Sequence, residues 1–111
     1  MGTVYSTCFV HKRVSDLGAS VLYTVPDGYV AVVRDIILYV DYDQSGGLIG
    51  ISSLPESGSD QYVYLALQLT AVPGTLYHED LHQVCGPGVQ LLAVNGVSEF
   101  NCRISGYLLT L

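Results

Sequence analysis

Two short runs hold the side chains best placed to do chemistry. The first is His78-Glu79-Asp80-Leu81-His82. On a β-strand His78, Asp80 and His82 point to one side, and imidazole and carboxylate are both transition-metal ligands. Same-side neighbours on one strand lie about 7 Å apart, however, which is wide for three ligands on one ion. The run spells HExxH, but it reads as a strand and not as the helix on which that motif brings its two histidines to one face. The spacing therefore indicates a solvated strand face, and no metal site is assigned. The second run, Asp41-Tyr42-Asp43-Gln44-Ser45-Gly46, opens like a calcium loop. Its twelfth position is Ser52, where such loops need a bidentate Glu, and it lies between strands. An acidic turn fits it better. The chain has no GxSxG, phosphate-loop, dinucleotide or Cys–His nucleophile pattern. No enzyme activity, catalytic residue or cofactor is expected.

The elements that carry these residues read as strands. No segment keeps a helical period, and turn residues recur between runs rich in Val, Ile, Leu, Tyr and Thr. Strands are predicted near 3–10, 20–25, 29–40, 47–53, 61–70, 75–85, 89–95 and 98–110. They predict an all-β fold, a two-sheet antiparallel β-sandwich of jelly-roll type with about eight strands. The 111 residues suit a single domain spanning 1–111.

Gln61–Thr70 alternates most clearly. Val63, Leu65, Leu67 and Leu69 are expected in the core, with Tyr62, Tyr64, Ala66, Gln68 and Thr70 opposite. Phe100, Cys102, Ile104, Gly106 and Leu108 take the inner side of the last strand in the same way. In 29–40, Val30, Val32, Ile36, Leu38 and Val40 share a face that Arg34 interrupts, and Asp35 interrupts the other. Either a bulge lies at Arg34-Asp35 or both faces are covered. An ion pair is the functional alternative there.

Pro26-Asp27-Gly28, Gly46-Gly47 and Pro73-Gly74 mark turns. Asn95-Gly96 is a strong hairpin signal and is expected to pair strand 89–94 with strand 97–105. Ser52–Asp60 reads as a mobile loop.

Composition bounds the partners. Hydrophobic residues make up 50% and charged residues 13%, against roughly 25% charged in an average domain. The longest uncharged stretches, Gln61–Tyr77 and Leu81–Ser98, are broken by Pro and Gly, so no membrane span is expected. The apolar excess then points to burial against copies of the chain or a partner. Nine Tyr and no Trp agree with that. The second faces of strands 29–40, 61–70 and 98–110 carry the surplus, which nominates Tyr29, Arg34, Asp35, Tyr39, Tyr62, Tyr64, Tyr107 and Leu109 as interface residues.

A net charge of −6, with only Lys12, Arg13, Arg34 and Arg103 cationic, argues against nucleic acid. Cys8, Cys85 and Cys102 form no even framework and read as buried free thiols, a Cys8–Cys102 bridge being the alternative. Met1-Gly2-Thr3-Val4-Tyr5-Ser6 matches the short myristoylation pattern but reads as a strand. His11-Lys12-Arg13 follows the first apolar run, the reverse of a secretory signal, so synthesis in the cytoplasm is expected.

Val25-Pro26-Asp27-Gly28-Tyr29-Val30-Ala31-Val32-Val33-Arg34-Asp35-Ile36 resembles an opening found in small structural proteins of tailed bacteriophages. Arg103-Ile104-Ser105-Gly106-Tyr107-Leu108-Leu109-Thr110 is similar to their terminal strand. Leu76-Tyr77-His78-Glu79-Asp80 and Gly86-Pro87-Gly88-Val89 stand where those proteins have an aromatic-rich strand and a turn, although His78 and Glu79 depart from the pattern. The likeness covers residues 20–111. It implies a virion protein without catalytic residues, made in the host cytoplasm. A capsid decoration protein comes first, trimeric and bound to the major capsid protein or other virion proteins. A tail, baseplate or head-fibre module binding host-surface carbohydrate through loops 41–47 and 52–60 comes second.

Overall fold

Frequent turn residues and β-branched runs leave no room for a helical period, and the described residues form strands joined by turns. The computed structural model describes residues 4–41, 47–55, 63–96 and 99–111. Its strands are β1 (Val4–Val14), β2 (Gly18–Thr24), β3 (Tyr29–Val40), β4 (Ile49–Leu54), β5 (Val63–Gln68), β6 (Leu76–Cys85), β7 (Gln90–Asn95) and β8 (Phe100–Thr110). No helix occurs among the described residues. The strands make two four-stranded sheets, ordered β1-β8-β3-β6 and β2-β7-β4-β5, in which every pairing is antiparallel.

The pairing is nested. β1 pairs β8, β2 pairs β7, β3 pairs β6 and β4 pairs β5. The chain is thus one long antiparallel ribbon, doubled back between β4 and β5 and rolled so that successive pairs alternate between sheets. The pairings β3–β8 and β4–β7 close the roll. This is the jelly-roll arrangement that the strand pattern predicts.

The inner faces form one core. β3 contributes Ala31, Val33, Ile36, Leu38 and Val40, and β8 contributes Phe100, Cys102 and Ile104. Ile49, Ile51, Leu91 and Ala93 meet them from the other sheet. The inner side of β8 is as the alternation predicts.

Three expectations need correction. In β5 the ladder to β4 shifts between Ile51 and Ser52, where Ala66 pairs Ile51 and Tyr64 pairs Ser52, leaving Leu65 as the extra residue. That shift ends strict alternation. Ala66 joins the core and Leu65 packs against it, while Val63 is 53% exposed and Leu69, beyond the strand, is 73% exposed.

Asn95-Gly96 does not make a β7–β8 hairpin, because β7 and β8 lie in different sheets. The Asn95 side-chain amide donates to the Asp16 carbonyl at 3.1 Å, and Gly96 N–H donates to the Leu48 carbonyl at 2.6 Å. A Cβ on Gly96 would stand 2.8 Å from Leu48 N, so the glycine serves a close backbone approach rather than a hairpin turn.

The supposed loop 52–60 begins inside β4, where Ser52 is wholly buried. Its remainder from residue 56, like residues 42–46 of the calcium-loop run, lies outside the described residues. The Pro26-Asp27-Gly28 turn is present, closed by Tyr29 N–H on the Pro26 carbonyl at 3.3 Å.

Candidate functional site

The outer face of the β1-β8-β3-β6 sheet gathers most of the chain's unusual side chains, and one irregularity arranges them. Both ladders of β3 shift between Val33 and Asp35, so Arg34 has no register partner on either side. Of the two sequence alternatives, the bulge is correct. It also splits the face assigned from alternation. Ala31 and Val33 point inward before it and Ile36, Leu38 and Val40 after it, leaving Val32, Asp35, Ile37 and Tyr39 outward. Opposite the bulge is Gly106, where an added Cβ would stand 1.9 Å from the Val32 carbonyl oxygen. Only a residue without a side chain fits there.

A pocket of about 390 Å³ opens beside the bulge, lined among others by Arg34, Asp35, Arg103, Ser105, Tyr107 and Cys8. Arg34 Nη1 donates to the Tyr107 hydroxyl at 3.3 Å, and the guanidinium carbon lies 5.8 Å from the ring centroid. Arg34 Nε is buried without a partner among the described residues. Arg103 makes no ion pair among them either, whereas Arg13 binds both Asp41 and Glu99.

On the β6 side sits a cluster from two strands. His78 Nε2 lies 3.1 Å from Asp35 Oδ1 and 3.3 Å from Asp80 Oδ1. The hydrogen bond from His78 holds the Asp35 carboxyl below the usual carboxylate range, and one with Asp80 adds to this. One nitrogen and two oxygens, all within 4.8 Å of one another, could hold a transition-metal ion. His82, which shares a side of the strand with His78 and Asp80, is not part of the cluster; Asp35 from β3 is the third member. Register explains the difference. Asp80 pairs Asp35 across the ladder, and facing residues come within about 5 Å, closer than neighbours along a strand.

Apolar side chains flank these groups. Leu76 is 59% exposed at one end of β6 and Val84 is 61% exposed at the other. Of the nominated interface residues, Arg34, Asp35, Tyr39, Tyr107 and Leu109 come together on this face. Tyr29 instead packs against the core. Tyr64 is exposed on β5 of the other sheet, and Tyr62 lies outside the described residues. Cys85 and Cys102 are buried free thiols as expected. Cys8 is free but exposed, and it forms no bridge to Cys102, because β1 turns Cys8 outward opposite Ser105 while Cys102 lies in the core.

Comparison with known proteins gives likeness in fold only. No protein-family model matches the sequence, and no curated protein matches it. Among solved structures, a chain of the T13 IBDV viral particle is similar over 98% of this chain, with a TM-score of 0.64 and 12% identity. A chain of the infectious bursal disease virus Gx strain is similar over the same share, with a TM-score of 0.60 and 11% identity. This chain spans 31% and 32% of those two chains. Identities this low establish the shared sandwich and no more. The Arg34 pocket and the Asp35 cluster had a sequence signal, the charged step that interrupts the apolar faces of strand 29–40.

Proposed function

We propose that the chain is a structural component of a virus particle, working through contacts between its sheet faces and neighbouring subunits. The observation that carries this is the rolled ribbon, matched over 98% of its length by a chain from a virus particle. The half-buried apolar and tyrosine side chains on the outer face of β3 and β8 support it, because such side chains favour contact with protein over water. In its finer form, the proposal is a decoration protein on the capsid of a tailed bacteriophage, bound to the major capsid protein. That form rests on the resemblance of residues 20–111 to small structural proteins of such phages. Many copies, each binding the assembled shell and not its free subunits, would stabilise the shell by linkage.

The test is location. Purified particles labelled with antibody to this chain and viewed by electron microscopy should carry label over the capsid. Particles free of the chain by both labelling and mass spectrometry would overturn the proposal.

A further inference from the structure

We propose that two copies of this chain bind face to face through the outer side of the β1-β8-β3-β6 sheet, each setting its Arg34–Arg103 pocket against the other's Asp80. The inference deepens the proposed function by naming the partner and the surface. It departs from the trimer that the phage resemblance implies.

Charge carries the argument. The chain has ten acidic residues and four cationic ones. Arg13 is already held by two carboxylates, but Arg103 faces the pocket with none among the described residues. Among the described residues the Arg34 side chain donates one hydrogen bond, to a neutral phenol, although Asp35 is close enough to feel its charge. The pocket therefore presents two guanidinium groups with unused donors. On the same face, toward β6, Asp80 is 82% exposed, and its contacts with His78 and Asp35 leave other lone pairs turned to solvent.

One face thus holds a cationic patch on its β8 side and an anionic patch on its β6 side. A two-fold axis in the plane of contact turns one copy over and exchanges the patches. Each Arg103 then meets the other copy's Asp80, and the same contact is made twice. Like-charged patches would repel if the copies docked without that reversal. Val84 and Leu76, both exposed on β6, fall within the covered area. With the two-fold along β3, strands β8, β3 and β6 overlap their counterparts; three strands about 4.8 Å apart and ten residues long give about 490 Å² per copy, so about 1,000 Å² in all, the size at which a specific interface begins.

Charge reversal tests this with light scattering and sedimentation at micromolar to submillimolar concentration. The wild-type chain should form dimers, and Arg103→Glu or Asp80→Arg should each weaken them at least about tenfold. Both substituted positions are exposed or at a pocket rim, and circular dichroism checks that each variant folds. Mixing the two variants should restore a dimer holding one of each. In that mixed dimer the two substituted side chains face each other with opposite charges, and the unaltered Asp80 of one variant faces the unaltered Arg103 of the other. A monomeric wild-type chain, a trimer, or a mixture that stays monomeric would overturn the inference. None of these results bears on whether labelled particles contain the chain, so failure here and failure of the proposed function can be told apart.

Discussion

His78 donates a hydrogen bond to Asp35 across the β3–β6 ladder, and the consequence appears on acidification. A carboxyl with a depressed folded-state pKa stabilises the fold above its unfolded value, about 4, and that contribution is lost as the pH falls through the folded value. Between about pH 5 and pH 2 the urea midpoint should fall less for Asp35→Asn than for the wild-type chain. Equal losses in the two proteins would show that the bond contributes nothing. Thiol chemistry separates the cysteines in the same way. Cys8 is exposed and should react promptly with a thiol reagent at neutral pH. Burial raises the Cys85 thiol and pushes Cys102 up to about 11, so both should react only when the chain unfolds. Counting thiols with and without denaturant checks this. Alternation puts His78, Asp80 and His82 on one side of the strand and misses Asp35. Asp35 lies 43 positions away from His78, and only strand register brings them together.

At the scale of the strand, the bulge at Arg34 sets which residues face the core, and Gly106 makes room for it. Gly106→Ala should destabilise by several kcal/mol, because backbone oxygen cannot yield to a Cβ at 1.9 Å. Gly86→Ala is the control, with nothing within 4 Å of its added Cβ, and should change stability by less than about 0.5 kcal/mol. Phe100 fills the core at the start of β8, and Phe100→Ala should cost about 3–5 kcal/mol in urea denaturation. Alternation alone found eight strands and the inner side of β8. It failed where a ladder shifts by one residue. The bulges in β3 and β5 each move side chains to the opposite face, and nothing local in the sequence marks which residue is extra. Asn95-Gly96 misled for a related reason. It marks a sharp backbone feature, and which sheet the next strand joins depends on the roll as a whole.

Across the whole molecule, the rolled ribbon pairs residues far apart in sequence, with Val4 opposite Leu109 and Gly18 opposite Asn95. Chains ruled by such distant pairings must close large loops before those contacts repay the entropy, so folding should be slow. Stopped-flow refolding should give times of milliseconds to seconds or longer, and a microsecond phase accounting for the full amplitude would contradict this. The pairing of Val4 with Leu109 has a consequence of another kind. The chain enters and leaves the sandwich side by side at one edge of one sheet. A short linker could therefore join the two ends without stretching, and new ends could be opened at a surface turn such as Gly86–Gly88. By the same geometry the sandwich could be spliced into a loop of a larger protein through a single point of attachment, leaving the host's own fold undisturbed.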